Sequence, residues 1–143
     1  AKEGPDAFYH GQFPKAVEQA SKAGGGIITA QDFAQYHATE LAPLTCTYRG
    51  YSFVSAPPPS SGGVTLCETL NILEGYDLKS MGFNSAAMVH TLTEALRFSY
   101  ADRNTYLGDP AFVQNPVAKL MDKQYAASLR EKIQKDKATP STE

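Results

Sequence analysis

The residue types best placed to do chemistry fall in two stretches. Ser60-Ser61-Gly62-Gly63 follows three consecutive prolines, Pro57 to Pro59. A β-prone run precedes the prolines and a helical pattern follows. Either serine can therefore cap the helix, whose first N–H groups and positive dipole end would receive a carboxylate or phosphate. The alternative is a rigid turn backed by a capped helix, with no ligand. The second stretch is Asp102-Arg103 with Asp109, near the end of the longest helical pattern, where a carboxylate and a guanidinium can form a buried bidentate pair. Structural ion-pair networks use the same residues, so this pair is read as structural before catalytic.

The remaining reactive side chains are scattered. His10, His37 and His90 fall on three different elements, and no two have the i, i+4 spacing of a helical metal pair. Cys46 lies in a strand pattern and Cys67 in a helix pattern, without C-x-x-C or metal-ligand spacing, and both are read as buried free thiols. Ser60 to Gly63 do not form a G-x-S-x-G elbow, no serine has a lysine three residues on, and no glycine-rich phosphate loop with its lysine occurs. No metal is expected.

The elements that must position these residues follow from local patterning. Gly4-Pro5-Asp6 opens a helical turn carrying Phe8 and Tyr9, and Pro14 suits the start of a second helix that Gly24-Gly25-Gly26 ends near Ala23. Thr29 with Asp32 reads as a capped start to a short helix that turns Phe33 and Tyr36 inward. Leu44 to Tyr48 and Tyr51 to Ser55 alternate around Arg49-Gly50, which predicts a β-hairpin running into an extended proline rod. Leu66, Cys67, Leu70 and Leu73 recur at helical spacing, with Gly75 as the left-handed residue beyond and Tyr76 to Gly82 as a loop. Asn84 or Ser85 caps the longest helix, whose apolar stripe is Val89, Leu92, Leu96, Tyr100 and Leu107. Asp122 caps a last helix with Tyr125, Ala126, Leu129 and Ile133 on one side. The fold class is α+β and mainly helical, with four or five helices and one hairpin. Residues 1–37 read as a helical part, 38–63 as the hairpin and rod, 64–137 as a second helical part and 138–143 as a linker-like tail.

The bulk numbers bound the function classes. The chain has 143 residues, 42% hydrophobic and 20% charged, which is an ordinary globular balance able to bury a core. A net charge of −2 with both signs interspersed gives no footprint for nucleic acid or an anionic membrane surface, and no apolar run is long enough to span a bilayer. Both ends read as cut from something larger, so the chain is expected to be a segment of a longer protein.

Several stretches together resemble the large subunit of a bacterial gamma-glutamyltranspeptidase. They are Gly4 to Tyr9 (Gly-Pro-Asp-Ala-Phe-Tyr), Gly24-Gly25 through Ile28-Thr29 to Asp32, and Tyr48-Arg49-Gly50-Tyr51 running into Pro57 to Gly63. Tyr100-Ala101-Asp102-Arg103 leading to Tyr106 through Pro110 completes them. The match covers nearly the whole chain in order and spacing. It implies part of an N-terminal nucleophile hydrolase of layered αββα architecture, whose precursor cuts itself into large and small subunits. In that family the exposed threonine of the small subunit attacks the gamma-glutamyl amide of glutathione, with its own α-amino group as base, and passes the gamma-glutamyl group to water, an amino acid or a dipeptide.

No threonine in this chain is followed two residues later by histidine, as the family's nucleophile is. No residue here therefore receives a catalytic role, and Ser60, Ser61, Gly62 and Gly63 remain candidates for lining or supporting the pocket. The implied partners are the small subunit, the remainder of the large subunit and gamma-glutamyl compounds; no cofactor is implied. The implied location is the periplasm or beyond, where Cys46 and Cys67 would pair if their Cα atoms lay within about 7 Å, although free thiols are the preferred reading. A cephalosporin-acylase-like relative shares the same logic. Taken alone, the chain is expected to be inactive; a third reading makes it a stand-alone helical interaction module that self-associates through an uncovered hairpin edge.

Overall fold

A computed structural model describes residues 4–140. The expected beginning at Ala1-Lys2-Glu3 and the last residues of the tail, Ser141 to Glu143, lie outside the described residues. The chain forms two compact units, one ending at Glu40 and the other beginning at Leu41.

The smaller unit holds α1 (Asp6–Tyr9), α2 (Gln12–Ala23) and α3 (Ala30–Gln35). Gly24 and Gly25, the latter with φ of 75°, end α2, and Gly26 N–H then returns to Ser21 O at 2.7 Å. Thr29 opens α3 through a capping box: its hydroxyl accepts from Asp32 N–H while Asp32 Oδ2 accepts from Thr29 N–H at 2.7 Å. Those bonds hold the Asp32 carboxyl below its ordinary range. Phe8 stacks on Phe13 at 4.9 Å and meets Phe33 edge-on at 5.7 Å, so aromatic contacts rather than aliphatic packing join the three helices. Phe33 is half-buried, whereas Tyr36, expected to face inward, is 61% exposed and lies flat against Tyr9. It follows α3 in extended backbone, which carries it off the helix face.

The larger unit is built around α4 (Gly62–Leu73), with β1 (Leu44–Tyr48) and β2 (Tyr51–Ser55) on one side and α6 (Ala86–Tyr106) on another. The strands pair antiparallel from Leu44 opposite Ser55 to Tyr48 opposite Tyr51. Arg49 and Gly50 both have positive φ, the geometry that closes a two-residue hairpin along the strand twist. The hairpin finds its cover within the chain, since Leu44 packs with Val64, Cys67 and Leu120, while Tyr51 and Val54 stay exposed. The last expected helix is α8 (Lys123–Arg130), and three single-turn helices, α1, α5 (Leu78–Met81) and α7 (Val117–Leu120), raise the helix total among the described residues to eight, above the four or five expected. The loop expected over Tyr76 to Gly82 contains α5, because the Asp77 side chain accepts from Ser80 N–H and caps that turn. The mainly helical α+β class with one hairpin stands.

Four expectations are corrected by packing. Pro57 to Ser60 form a turn rather than a rod, with Pro58–Pro59 cis and Ser60 N–H donating to Pro57 O at 3.1 Å. Gly75 does not take left-handed backbone; a Cβ there would collide with the Arg130 side chain at Nε. Glycine is needed so that Arg130 can reach the end of α4, where it donates to Asn71 O at 2.7 Å and Ile72 O at 3.3 Å.

The apolar stripe of α6 is the third correction. Val89, Leu92, Leu96 and Tyr100 are exposed, and the buried face is Thr91, Glu94, Ala95 and Ser99. Small residues let α6 approach α4 closely enough for Thr69 to donate to Ser99 Oγ at 2.9 Å. Finally, Cys46 and Cys67 are a disulfide, with Cα atoms 6.0 Å apart, because the hairpin lies directly on α4.

Replacing both cysteines by serine frees a link that spans 21 residues of sequence. Chain-entropy reasoning gives a loss of about 3 kcal/mol. Urea unfolding of the full-length protein checks it, together with a thiol count that finds neither cysteine free before reduction and both free after.

Candidate functional site

The residues singled out in sequence converge only in part. Ser61 ends the proline turn with helical backbone and makes no side-chain cap bond to α4. Its Oγ accepts from Arg103 Nε at 3.1 Å, while Arg103 Nη1 donates to Asn104 Oδ1 at 2.8 Å. These groups border an open cleft of about 310 Å³ between the start of α4 and the last third of α6, lined also by Gly62, Thr65, Leu66 and Tyr100.

Ser60 is exposed beside the cleft, and Gly63 is buried beneath it. A Cβ on Gly63 would meet Ala56 O at 2.8 Å and Ser55 Cβ at 2.9 Å, so its smallness, not a turn, seats α4 on the end of β2. Gly62 has open space, with Ser60 Oγ the nearest atom at 3.8 Å.

The first turn of α4 and the Arg103 guanidinium give this cleft donors suited to an anionic or carbonyl oxygen. A guanidinium does not accept a proton, so the Ser61 hydroxyl bonded to it is not primed for attack.

Asp102, Arg103 and Asp109 are held by different partners, not by one another. Asp109 Oδ1 accepts from Ala111 N–H at 2.9 Å and shapes the turn after α6. Asp102 Oδ2 accepts from Tyr125 Oη at 2.6 Å, across to α8. The adjacent positions 102 and 103 point about 100° apart on a helix, which sends Asp102 inward and Arg103 to the cleft.

Behind Asp102 lies a group that sequence reading passed over. Glu68, on α4, is 1% exposed and faces the Asp102 carboxyl, and its Oε1 has no hydrogen-bond partner. Burial first, then the facing carboxyl of Asp102 and its like charge, push the Glu68 carboxyl up to about 9, with Lys119 opposing. Burial and Asp102 likewise push the Tyr125 hydroxyl upward. The Lys119 ammonium lies 4.9 Å from the Tyr106 ring and 5.0 Å from the Tyr125 ring. The available signal was a lone acid between Cys67 and the buried run through Leu73. Among the described residues, no group of three or more His, Cys, Asp or Glu is arranged to hold a metal.

The gamma-glutamyltranspeptidase family model matches residues 1–143. The chain belongs to that family. It is 56% identical over 98% of its length to a glutathione hydrolase proenzyme from Pseudomonas sp. (strain A14), covering 24% of that relative. It is 47% identical over 96% of its length to an acylase ACY 1 proenzyme from Pseudomonas sp. (strain SE83), covering 25% of it. The solved Helicobacter pylori gamma-glutamyltranspeptidase superposes with a TM-score of 0.89 at 42% identity, over 99% of this chain and 40% of that one. The chain thus spans about a quarter of the length of the curated relatives it matches.

The glycine pair separates two roles in this family member. Gly63→Ala forces backbone or Ser55 to move and destabilises by about 1–3 kcal/mol. Gly62→Ala is neutral or stabilises by up to about 1 kcal/mol. Thermal unfolding of the two variants in the full-length protein measures the contrast, and equal effects would contradict the packing role of Gly63.

Proposed function

We propose that this chain is a large-subunit segment of a self-cleaving gamma-glutamyl enzyme, supplying scaffold and pocket support while the nucleophile comes from elsewhere in the precursor. The observation that carries the reading is the family match along the whole chain; the Arg103 guanidinium, which donates to the Ser61 hydroxyl and takes no proton from it, supports a pocket-lining role for that serine. In the whole protein an N-terminal threonine attacks the gamma-glutamyl amide, the amine leaves with a proton relayed by the α-amino group, and water or an amino acid or peptide acceptor takes the acyl group. The architecture is the αββα layering of N-terminal nucleophile hydrolases. The chain's partners are the small subunit and the rest of the large subunit, and glutathione is the substrate.

The Cys46–Cys67 disulfide supports a periplasmic or secreted protein, since such links persist in oxidising compartments. A second reading, the same machinery acting on a cephalosporin side chain, is favoured by the relative named an acylase and by the likeness to a solved cephalosporin acylase from Bacillus halodurans.

The full-length protein, assayed with a gamma-glutamyl anilide and with a glutaryl-cephalosporin, separates the two. We expect two polypeptides after purification and a higher kcat/KM on the gamma-glutamyl substrate. Preference for the cephalosporin would install the second reading, and a single uncleaved, inactive polypeptide would overturn both. The chain taken alone is expected to release no anilide.

A further inference from the structure

We propose that Glu68 and Asp102 share a single proton where α4, α6 and α8 meet, and that losing it under alkaline conditions unclamps the three helices.

A proton between them follows from the burial of Glu68, its unpartnered Oε1 and the carboxyl it faces. Glu68 is almost wholly buried, and the side chain facing it is another carboxyl. One oxygen of Asp102 already accepts the Tyr125 hydroxyl proton at 2.6 Å, so Tyr125 is committed as a donor. With both carboxyls ionised, a buried Glu68 would hold its charge against the like charge of the half-buried Asp102, and its Oε1 would lack a donor. A neutral Glu68 removes the repulsion and supplies the missing donor. The other charged or titratable groups facing the pair are Lys119 from α7, which is engaged with the Tyr106 and Tyr125 rings, and Tyr106 at the end of α6. The lysine partly offsets the charge of the pair; the two tyrosines add none until they ionise themselves. Each carboxyl is carried by a different helix, and Tyr125 brings in the third, so the shared proton sits at the point where all three are tied.

The sign of the pH effect follows from linkage. Burial raises the Glu68 carboxyl from 4.5 to about 9, so the folded state keeps a proton that the unfolded chain gives up. The contribution is fully present below 4.5 and is lost progressively as pH rises towards 9. Within that window the folding equilibrium constant falls by about tenfold per pH unit through this one group.

The test uses the full-length protein. Stability is measured against pH for the wild type, Glu68→Gln and Asp102→Asn, and infrared spectra of the wild type and Glu68→Gln are compared. Glu68→Gln keeps the donor but has nothing to ionise, so its stability should decline less with pH and exceed that of the wild type at the alkaline end. Asp102→Asn removes the facing charge, so the midpoint of the decline should move towards the ordinary carboxylate range. The wild type should show the carbonyl band of a protonated, buried carboxyl at neutral pH, fading in alkali and missing from Glu68→Gln. Identical pH profiles in wild type and Glu68→Gln, or no such band at neutral pH, would overturn the proposal. The infrared result stands even if a variant fails to fold, and neither readout depends on which substrate the enzyme takes.

Discussion

Most of the larger unit depends on a constraint set by α4: it is buried on nearly every side and yet carries Thr65, Glu68, Thr69 and Asn71 inward. A buried polar group without a partner costs about 1–3 kcal/mol; Thr65 is satisfied by Ser61 O at the start of its own helix, and the other three call for partners from neighbouring elements. Thr69 bonds Ser99 on α6, Asn71 donates to Met121 O ahead of α8, and Glu68 requires Asp102. The apolar residues between them, Val64, Ile72 and Leu73, fill two small core clusters with Leu44, Ala95, Leu120 and Leu129. Neither cluster is extensive. Orientation comes from the polar bonds, and burial supplies the general attraction.

The ends of α4 obey the same constraint. At its start, Gly63 permits contact with the end of β2, and at its finish Arg130 satisfies carbonyls that the helix leaves unpaired. Glu74, just beyond, accepts Arg49 N–H at 3.0 Å and Lys123 Nζ at 2.7 Å, so the hairpin turn and α8 meet at one carboxylate. Those bonds hold the Glu74 carboxyl below its ordinary range. The cleft at Ser61 and Arg103 lies at the opposite end of α4, framed by elements that these contacts fix in place.

Local chemistry was legible in the sequence where it is settled within a few residues. The Thr29 box, the Arg49-Gly50 turn and the Asp122 cap, whose Oδ1 accepts from Gln124 and Tyr125 N–H, need no distant partner. The outward apolar face of α6 was not legible, because periodicity locates a stripe but does not say which neighbour it meets. Ala95 and Ser99 are weak signals until α4 is laid against them. The same blindness hid Glu68 and made two free thiols look reasonable, since nothing in the separation of Cys46 and Cys67 reports that a hairpin folds onto a helix. For the site, the sequence located Ser61 and Arg103 but not their contact with each other, which joins residues 42 positions apart.

The facing of Asp102 by a buried Glu68 has a consequence for how this sequence is free to drift. Positions 68 and 102 are expected to behave as one heritable unit, in which the sum of charges matters more than either letter. An amide at one of them leaves the other free to remain acidic, whereas a lysine at position 68 would meet Lys119 and a core without room for its hydration. Substitutions at these two places should therefore travel in pairs through descent, even though they lie on different helices and neither touches the cleft.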